Sequence, residues 1–208
     1  MKPVTPADVQ KLFLELTEDY TQFRPILATL QEKNGGDLIP AIKNEIRAIN
    51  DHIARCYITD ATPDQQFHEL VKADGHLRRA IYDTFKQLNI LYHDFIREYD
   101  DRHFGNHWHK IDNGAFWEQY ATQRLEVDKW IHEAKQAESE NKDETQTYYT
   151  NAYIAQSEVY RLIRLHKKEL ELTWCDKLER WFRSHRAWVL WTVFGALVSA
   201  IVCKAVTG

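Results

Sequence analysis

Glycine and proline are scarce in this 208-residue chain, at seven and five residues, and long stretches contain neither. A strand-and-turn protein needs such breakers at nearly every connection, so their shortage excludes an all-β fold and favours extended helices. Cysteine is scarcer still. Cys56, Cys175 and Cys203 are odd in number and far apart, and each lies within a helical pattern, which argues against a disulfide framework and fits a reducing compartment. An excess of positive charge is also missing. The formal net charge of −4 speaks against general nucleic-acid binding, which needs a concentrated Lys/Arg stripe to neutralise phosphates. The opening MKPVTPADVQK has no apolar stretch of the kind that makes a secretory signal. There is no P-loop, dinucleotide-binding glycine pattern, G-x-S-x-G elbow or paired-cysteine zinc motif. No cofactor is therefore expected, and an ordinary metabolic enzyme is disfavoured.

What the chain does have is one long apolar run. Residues 187–206 read AWVLWTVFGALVSAIVCKAV, with Lys204 as their single charge. A helix of that length spans roughly 30 Å, the thickness of a bilayer core. Lys177, Arg180, Arg183 and Arg186 precede the run and only Lys204 marks its far end, so the positive-inside rule keeps the N-terminal part cytoplasmic. Trp181, Trp188 and Trp191 fall at or near the headgroup level. Gly195, Ala196, Ser199 and Ala200 give the run a small-residue face suited to close helix contact. The expected organisation is a cytoplasmic helical bundle over 1–174, a basic and aromatic juxtamembrane segment over 175–186, and a tail-anchoring transmembrane helix over 187–206. Such a chain sits in a membrane as a single-pass protein, the inner membrane if it is bacterial.

The remainder is patterned as an elongated antiparallel bundle of about five helices, an all-α fold. Thr5 as N-cap, Pro6 at the first helical position and an acidic third residue start the first helix, which Pro25 is expected to kink or split. Ile39, Ile42, Ile46, Ile49, Ile53 and Cys56 put one apolar face on a second helix. Thr62-Pro63-Asp64-Gln65 repeats the capping signature and opens a third helix reaching about Tyr99, near 55 Å long at 1.5 Å per residue. That is too long to be covered by one short partner. A loop follows over His103–Gly114. The fourth helix takes Phe116, Tyr120, Val127, Trp130, Ile131 and Ala134 inward, and the polar stretch 137–147 reads as the turn of a helical hairpin. A fifth helix from near Tyr148 meets no breaker before the apolar run, so stalk and span read as one rod.

Two polar clusters stand out. On the second helix, Arg47, Asn50, Asp51, His52 and Arg55 combine a group that moves protons near neutrality with groups that hold phosphate. His76 and Arg79 on the third helix echo His52 and Arg55 as H-φ-x-R. The two helices are expected to pack antiparallel, with pairing counted from the turn bringing His52 nearer His68 than His76. In the loop, His103, His107 and His109 with Asp100 and Asp101 are the one set resembling metal ligands, without the framework of a closed zinc site. Trp108 beside them suggests docking on a partner or on the membrane.

Arg47-Ala-Ile-Asn-Asp-His52 resembles the R-x4-H signature of HEPN ribonucleases, all-helical domains in which the resemblance implies a metal-independent RNase using Arg47 and His52. The layout of a compact bundle with one C-terminal span resembles membrane effectors of prokaryotic antiviral systems. That implies a protein coupling self-association, or a cytoplasmic protein partner, to the lipid bilayer. The order of helices and anchor is also similar to SNARE fusion proteins, with Gln156 in the central polar layer, although Glu138, Lys142 and Thr145 interrupt the coiled-coil seam that reading needs. The sequence favours the interaction or effector reading, with a tethered ribonuclease as the alternative.

Overall fold

Proline opens the first three helices, where its missing N–H costs nothing and its fixed φ is already helical. In a computed structural model the chain forms the α-helices α1 (Pro6–Lys33), α2 (Pro40–Cys56), α3 (Pro63–His103), α4 (Ala115–Ser139), α5 (Thr145–Leu165) and the short α6 (Lys167–Leu170). A 3-10 segment over Trp108–Gly114 lies between α3 and α4. The structure describes residues 3–171 except Thr59, Asn106, Asn141 and Asp143, together with Leu178, Trp181, Arg183, His185 and Trp188. Among these there is no strand.

The expected starts are built as the sequence indicates. Thr5 and Asp8 form a reciprocal capping box at α1, and Thr62 with Gln65 does the same at α3. Pro25 does not split α1, which runs unbroken for 28 residues. Pro25 and Thr21, whose carbonyl loses its i+4 donor, are both exposed, so water satisfies what the ring removes.

The organising element is α3, 41 residues long. Its first half is covered by α1 and α2: Leu16, Phe23, Ile49 and Cys56 pack on Leu70, Ala73, Leu77 and Ala80. Leu30 and Ile42 then pack on Leu88 and Tyr92. Its second half is covered by α5, where Phe85 meets Tyr153 and Tyr92 meets Tyr160 at ring-centroid distances of 5.4 and 5.3 Å. These pairings run α1 and α5 parallel to α3, with α2 and α4 antiparallel to it. Helix α4 packs closely on α5 and its backbone stays apart from α3. It reaches α3 through long side chains, Tyr120 to Asp100 and Glu138 to Tyr82 and Lys86.

The end of the bundle departs from expectation. Trp108 is completely buried, ringed by Tyr99, Phe104, Phe116 and Tyr120, so it is a core residue and not a docking surface. Asp112, Asn113 and Gly114 turn the chain back with φ of 47, 56 and 98°, left-handed values that these residue types tolerate best. Nor is the fifth helix a continuous rod. α5 ends at Leu165 and Glu171 is extended. Leu170 is fully buried in the Trp108 cluster, its carbonyl 2.9 Å from His107 Nε2. Burying Leu170 over the bundle end wins against simple continuation of a helix that would leave Leu170 in water.

The expected membrane helix over 187–206 lies outside the described residues apart from Trp188. No helix of the described residues is long and apolar enough to cross a membrane. Because Trp108 fills the junction of α3, α4, α5 and α6, Trp108→Ala should lower the unfolding free energy by about 3–5 kcal/mol. Denaturant unfolding of the full chain in detergent checks this, and an unchanged midpoint contradicts the packing described.

Candidate functional site

The polar residues that the sequence singles out on α2 and α3 converge between the two helices, in a different arrangement from the one expected. His52 Nδ1 lies 2.7 Å from Glu69 Oε2, and His76 Nδ1 lies 2.7 Å from Glu45 Oε2. The two imidazoles stack on each other, with centroids 5.1 Å apart and planes inclined by 25°. His68 instead is exposed and lines a separate cavity at the α2–α3 turn, with Arg55, Ile58 and Glu69. Antiparallel pairing sets His52 opposite Glu69 and His76 opposite Glu45, about 10 Å apart along the axis. A helical side chain leans toward its own N-terminus. On antiparallel helices the two rings therefore lean toward each other and meet.

Each glutamate is also held by a cation. Arg79 Nε donates to Glu45 at 3.0 Å, Lys72 Nζ donates to Glu69 at 2.6 Å, and Arg55 Nη1 lies 3.6 Å from Glu69. The cluster is a local duplication: Glu45-x6-His52-Ile53-x-Arg55 on α2 and Glu69-x6-His76-Leu77-x-Arg79 on α3. Seven residues are nearly two helical turns, so each glutamate shares a face with the histidine of its own helix and pairs with the histidine of the other. Glu45, Glu69 and Lys72 are the members that reading the sequence missed. The signal was present in the repeated Glu-to-His spacing, but only the hairpin register shows that the two copies face each other.

Hydrogen bonding from Lys72 and His52 holds the Glu69 carboxyl down at about 2. Burial works to raise Glu45, but the hydrogen bonds from His76 and Arg79 overcome it and bring the carboxyl below its ordinary value. With Glu69 ionised, His52 donates its Nδ1–H to it, whereas His76 Nδ1 lies 2.7 Å from both Glu45 Oε2 and Arg79 Nη2. Nε2 of each ring has no hydrogen-bond partner among the described residues. Two such nitrogens beside Arg55, Lys72 and Arg79 form an arrangement able to take and return protons next to an anion.

The other expected site residues are not drawn in. Arg47, Asn50 and Asp51 are exposed, and five residues of helix turn Arg47 about 140° away from His52, so the R-x4-H pair does not converge. His103, His107 and His109 go to different partners: His103 to the Tyr99 ring at 4.6 Å, His107 to the Leu170 carbonyl, His109 to the Trp117 ring at 4.3 Å. No group of three or more potential metal ligands exists among the described residues. Trp181, Arg183 and Trp188 occupy exposed helical positions. Arg180, Arg186, Trp191, Gly195, Ala196, Ser199, Ala200 and Lys204 lie outside the described residues. Compared with known proteins, the chain matches no protein-family model, no curated protein and no solved structure.

Glu138, where α4 meets α3 and α5, is held at about 2 by hydrogen bonds from Lys86, Tyr82 and Tyr149. A folded-state value below the ordinary 4.5 means that Glu69 and Glu138 stabilise the fold fully above about pH 4.5. They lose that contribution as pH falls toward 2. Glu69→Gln with Glu138→Gln should therefore flatten the acid limb of melting temperature against pH across that window. A limb as steep as that of the unaltered chain would show that neither carboxylate contributes through its charge.

Proposed function

We propose that this chain is a membrane-tethered helical interaction protein. Its bundle lies on the cytoplasmic side of a single C-terminal span and couples self-association, or binding of a cytoplasmic protein, to the bilayer. The observation that carries this reading is the apolar run 187–206, which is long enough to cross a bilayer and is preceded by a basic and aromatic collar. The all-helical bundle supports it as a carrier of protein contacts, and lateral concentration of spans is the effect that association of such bundles would have. Membrane damage on assembly, as in antiviral effectors, is the specific output of this reading. The joint at His166–Glu171 means that coupling passes through a bend, not along one rigid helix. Gln156 is fully buried within the chain's own core, which gives no support to a fusion-type central layer.

A second reading is favoured by the stacked His52–His76 pair. One imidazole, neutral, takes the proton of an RNA 2′-hydroxyl while the other, entering as imidazolium, gives its Nε2 proton to the leaving 5′-oxygen, with Arg55, Lys72 and Arg79 facing the phosphate charge. Here His76 replaces Arg47 as the partner of His52.

Two measurements test these readings. The full chain should stay with membranes through an alkaline carbonate wash, whereas a chain lacking 187–206 should be released; release of the full chain defeats tethering. If the second reading holds, His52→Ala and His76→Ala should each reduce RNA cleavage by roughly 10²–10⁴-fold. Cleavage that survives either substitution removes this site from consideration.

A further inference from the structure

Because the α4 backbone stays apart from α3, an open groove of about 630 Å³ separates them, next to the end of the bundle where Leu170 is buried. Trp117, Ala121, Leu125 and Asp128 follow one another at helical spacing along its α4 side, facing Asp101 and Phe104 from α3. Phe104 is 55% and Leu125 71% exposed, a high exposure for two large apolar residues lining one groove. The carboxylate of Asp100 is already engaged by Tyr120 and lies 3.9 Å from Arg124. Asp101 and Asp128 are exposed and form no ion pair among the described residues. Arg124 and Asp100 line the groove as well, so between its apolar side chains it holds one ion pair, and it carries two carboxylates that have no ion-pair partner among the described residues. An amphipathic helix with basic flanks would cover such a surface, its apolar face lying in the groove.

The chain itself contains such a segment. Residues 177–186 read KLERWFRSHR, with Leu178, Trp181 and Phe182 as apolar residues and Lys177, Arg180, Arg183 and Arg186 as cations. Leu178, Trp181, Arg183 and His185 occupy helical positions, and Leu178 and Trp181 are 37% and 44% exposed. We propose that the 177–186 segment of a second copy of this chain docks in the α3–α4 groove. Its arginines face Asp101 and Asp128, and Trp181 lies on Trp117 and Leu125.

The assignment to a second copy rests on the membrane-tethered reading. From Trp117 to Asp128 the groove runs back along α4 for about 16 Å, away from the end at which the chain exits. A chain's own 177–186 segment would have to fold back along the bundle and draw its span away from the bilayer. A neighbour in the same membrane meets no such conflict. Each copy presents one groove and one helix, so the contact is head-to-tail and repeats into rings or open rows. It therefore supplies a route by which bundles gather their spans. Opposite charge at an exposed rim also makes the contact sensitive to salt.

The test is the mass of the full chain in detergent micelles by analytical ultracentrifugation. The unaltered chain should associate, and about 1 M salt should dissociate it. Asp101→Lys with Asp128→Lys, and separately Arg180→Glu with Arg183→Glu, should each weaken association at least tenfold. Mixing the two reversed chains should restore it, because each helix then meets a groove of opposite charge. Unchanged association in either reversed chain overturns the proposal, as does a mixture that stays dissociated. Restoration only when all four changes are in one chain, with monomeric mass, assigns the helix to its own groove and equally overturns docking between copies. Carbonate retention of the same variants is read in parallel. A retained but monomeric unaltered chain defeats docking alone, whereas a chain lost from the membrane defeats the tethering on which it rests.

Discussion

Covering α3 is the constraint on which the rest of the structure depends. A 41-residue helix carries an apolar stripe too long for any other helix of the chain to bury, and exposed apolar area costs about 25 cal/mol per Å². The chain divides the task. α1 and α2 cover Leu70 to Leu88, and α5 covers Phe85 to Ile96. α4 is left to pack on α5, its contacts with α3 limited to long side chains. The α3–α4 groove follows from this division, since four principal helices around one long central helix do not close every gap between neighbours.

The polar features are arranged around the same helix. On the α2 side, the duplicated Glu–His–Arg unit joins two helices through charge-assisted hydrogen bonds, the stronger class of such bonds. On the α4 side, Asp101 and Asp128 at the rim of the groove have no ion-pair partner among the described residues. The first cluster is satisfied internally apart from two imidazole nitrogens; the second calls for something outside the bundle. That contrast separates a chemical reading of the α2–α3 site from an interaction reading of the α3–α4 groove, and both fit one chain because one lies in the first half of α3 and the other at its C-terminal end.

Much of the architecture was legible in the sequence because its signals are local. The Thr5 and Thr62 caps, the isoleucine face of α2, the length of α3 and the polar turn after Ser139 each depend on residues within a few positions of one another. Reading failed where long-range burial outweighed a local pattern. Trp108 looked like a docking residue in a polar loop because its ring of Tyr99, Phe116 and Tyr120 comes from two other helices. The fifth helix looked continuous because nothing near Leu165 breaks helices, while the force that ends it is the burial of Leu170 beneath the α3–α4 junction. The candidate site followed the same rule. His52, His76, Arg55 and Arg79 were visible as a repeated spacing, but Glu45 and Glu69 were not, since a glutamate on an amphipathic helix is ordinarily solvated.

By itself, the sequence determined the all-helical class, the helix starts, the apolar face of each helix and the presence of one apolar C-terminal run long enough for a bilayer. All of these come from periodicity and capping, which act over three or four residues. Tertiary structure alone decided which charged residues meet: that His52 faces His76 and not His68, that Arg47 faces outward, and that Asp101 and Asp128 find no ion-pair partner among the described residues beside exposed aromatic and aliphatic side chains. The physical reason is register. The direction in which helical side chains lean, and the offset at which two helices pack, are set by the fit of whole apolar faces, and no local spacing encodes that fit.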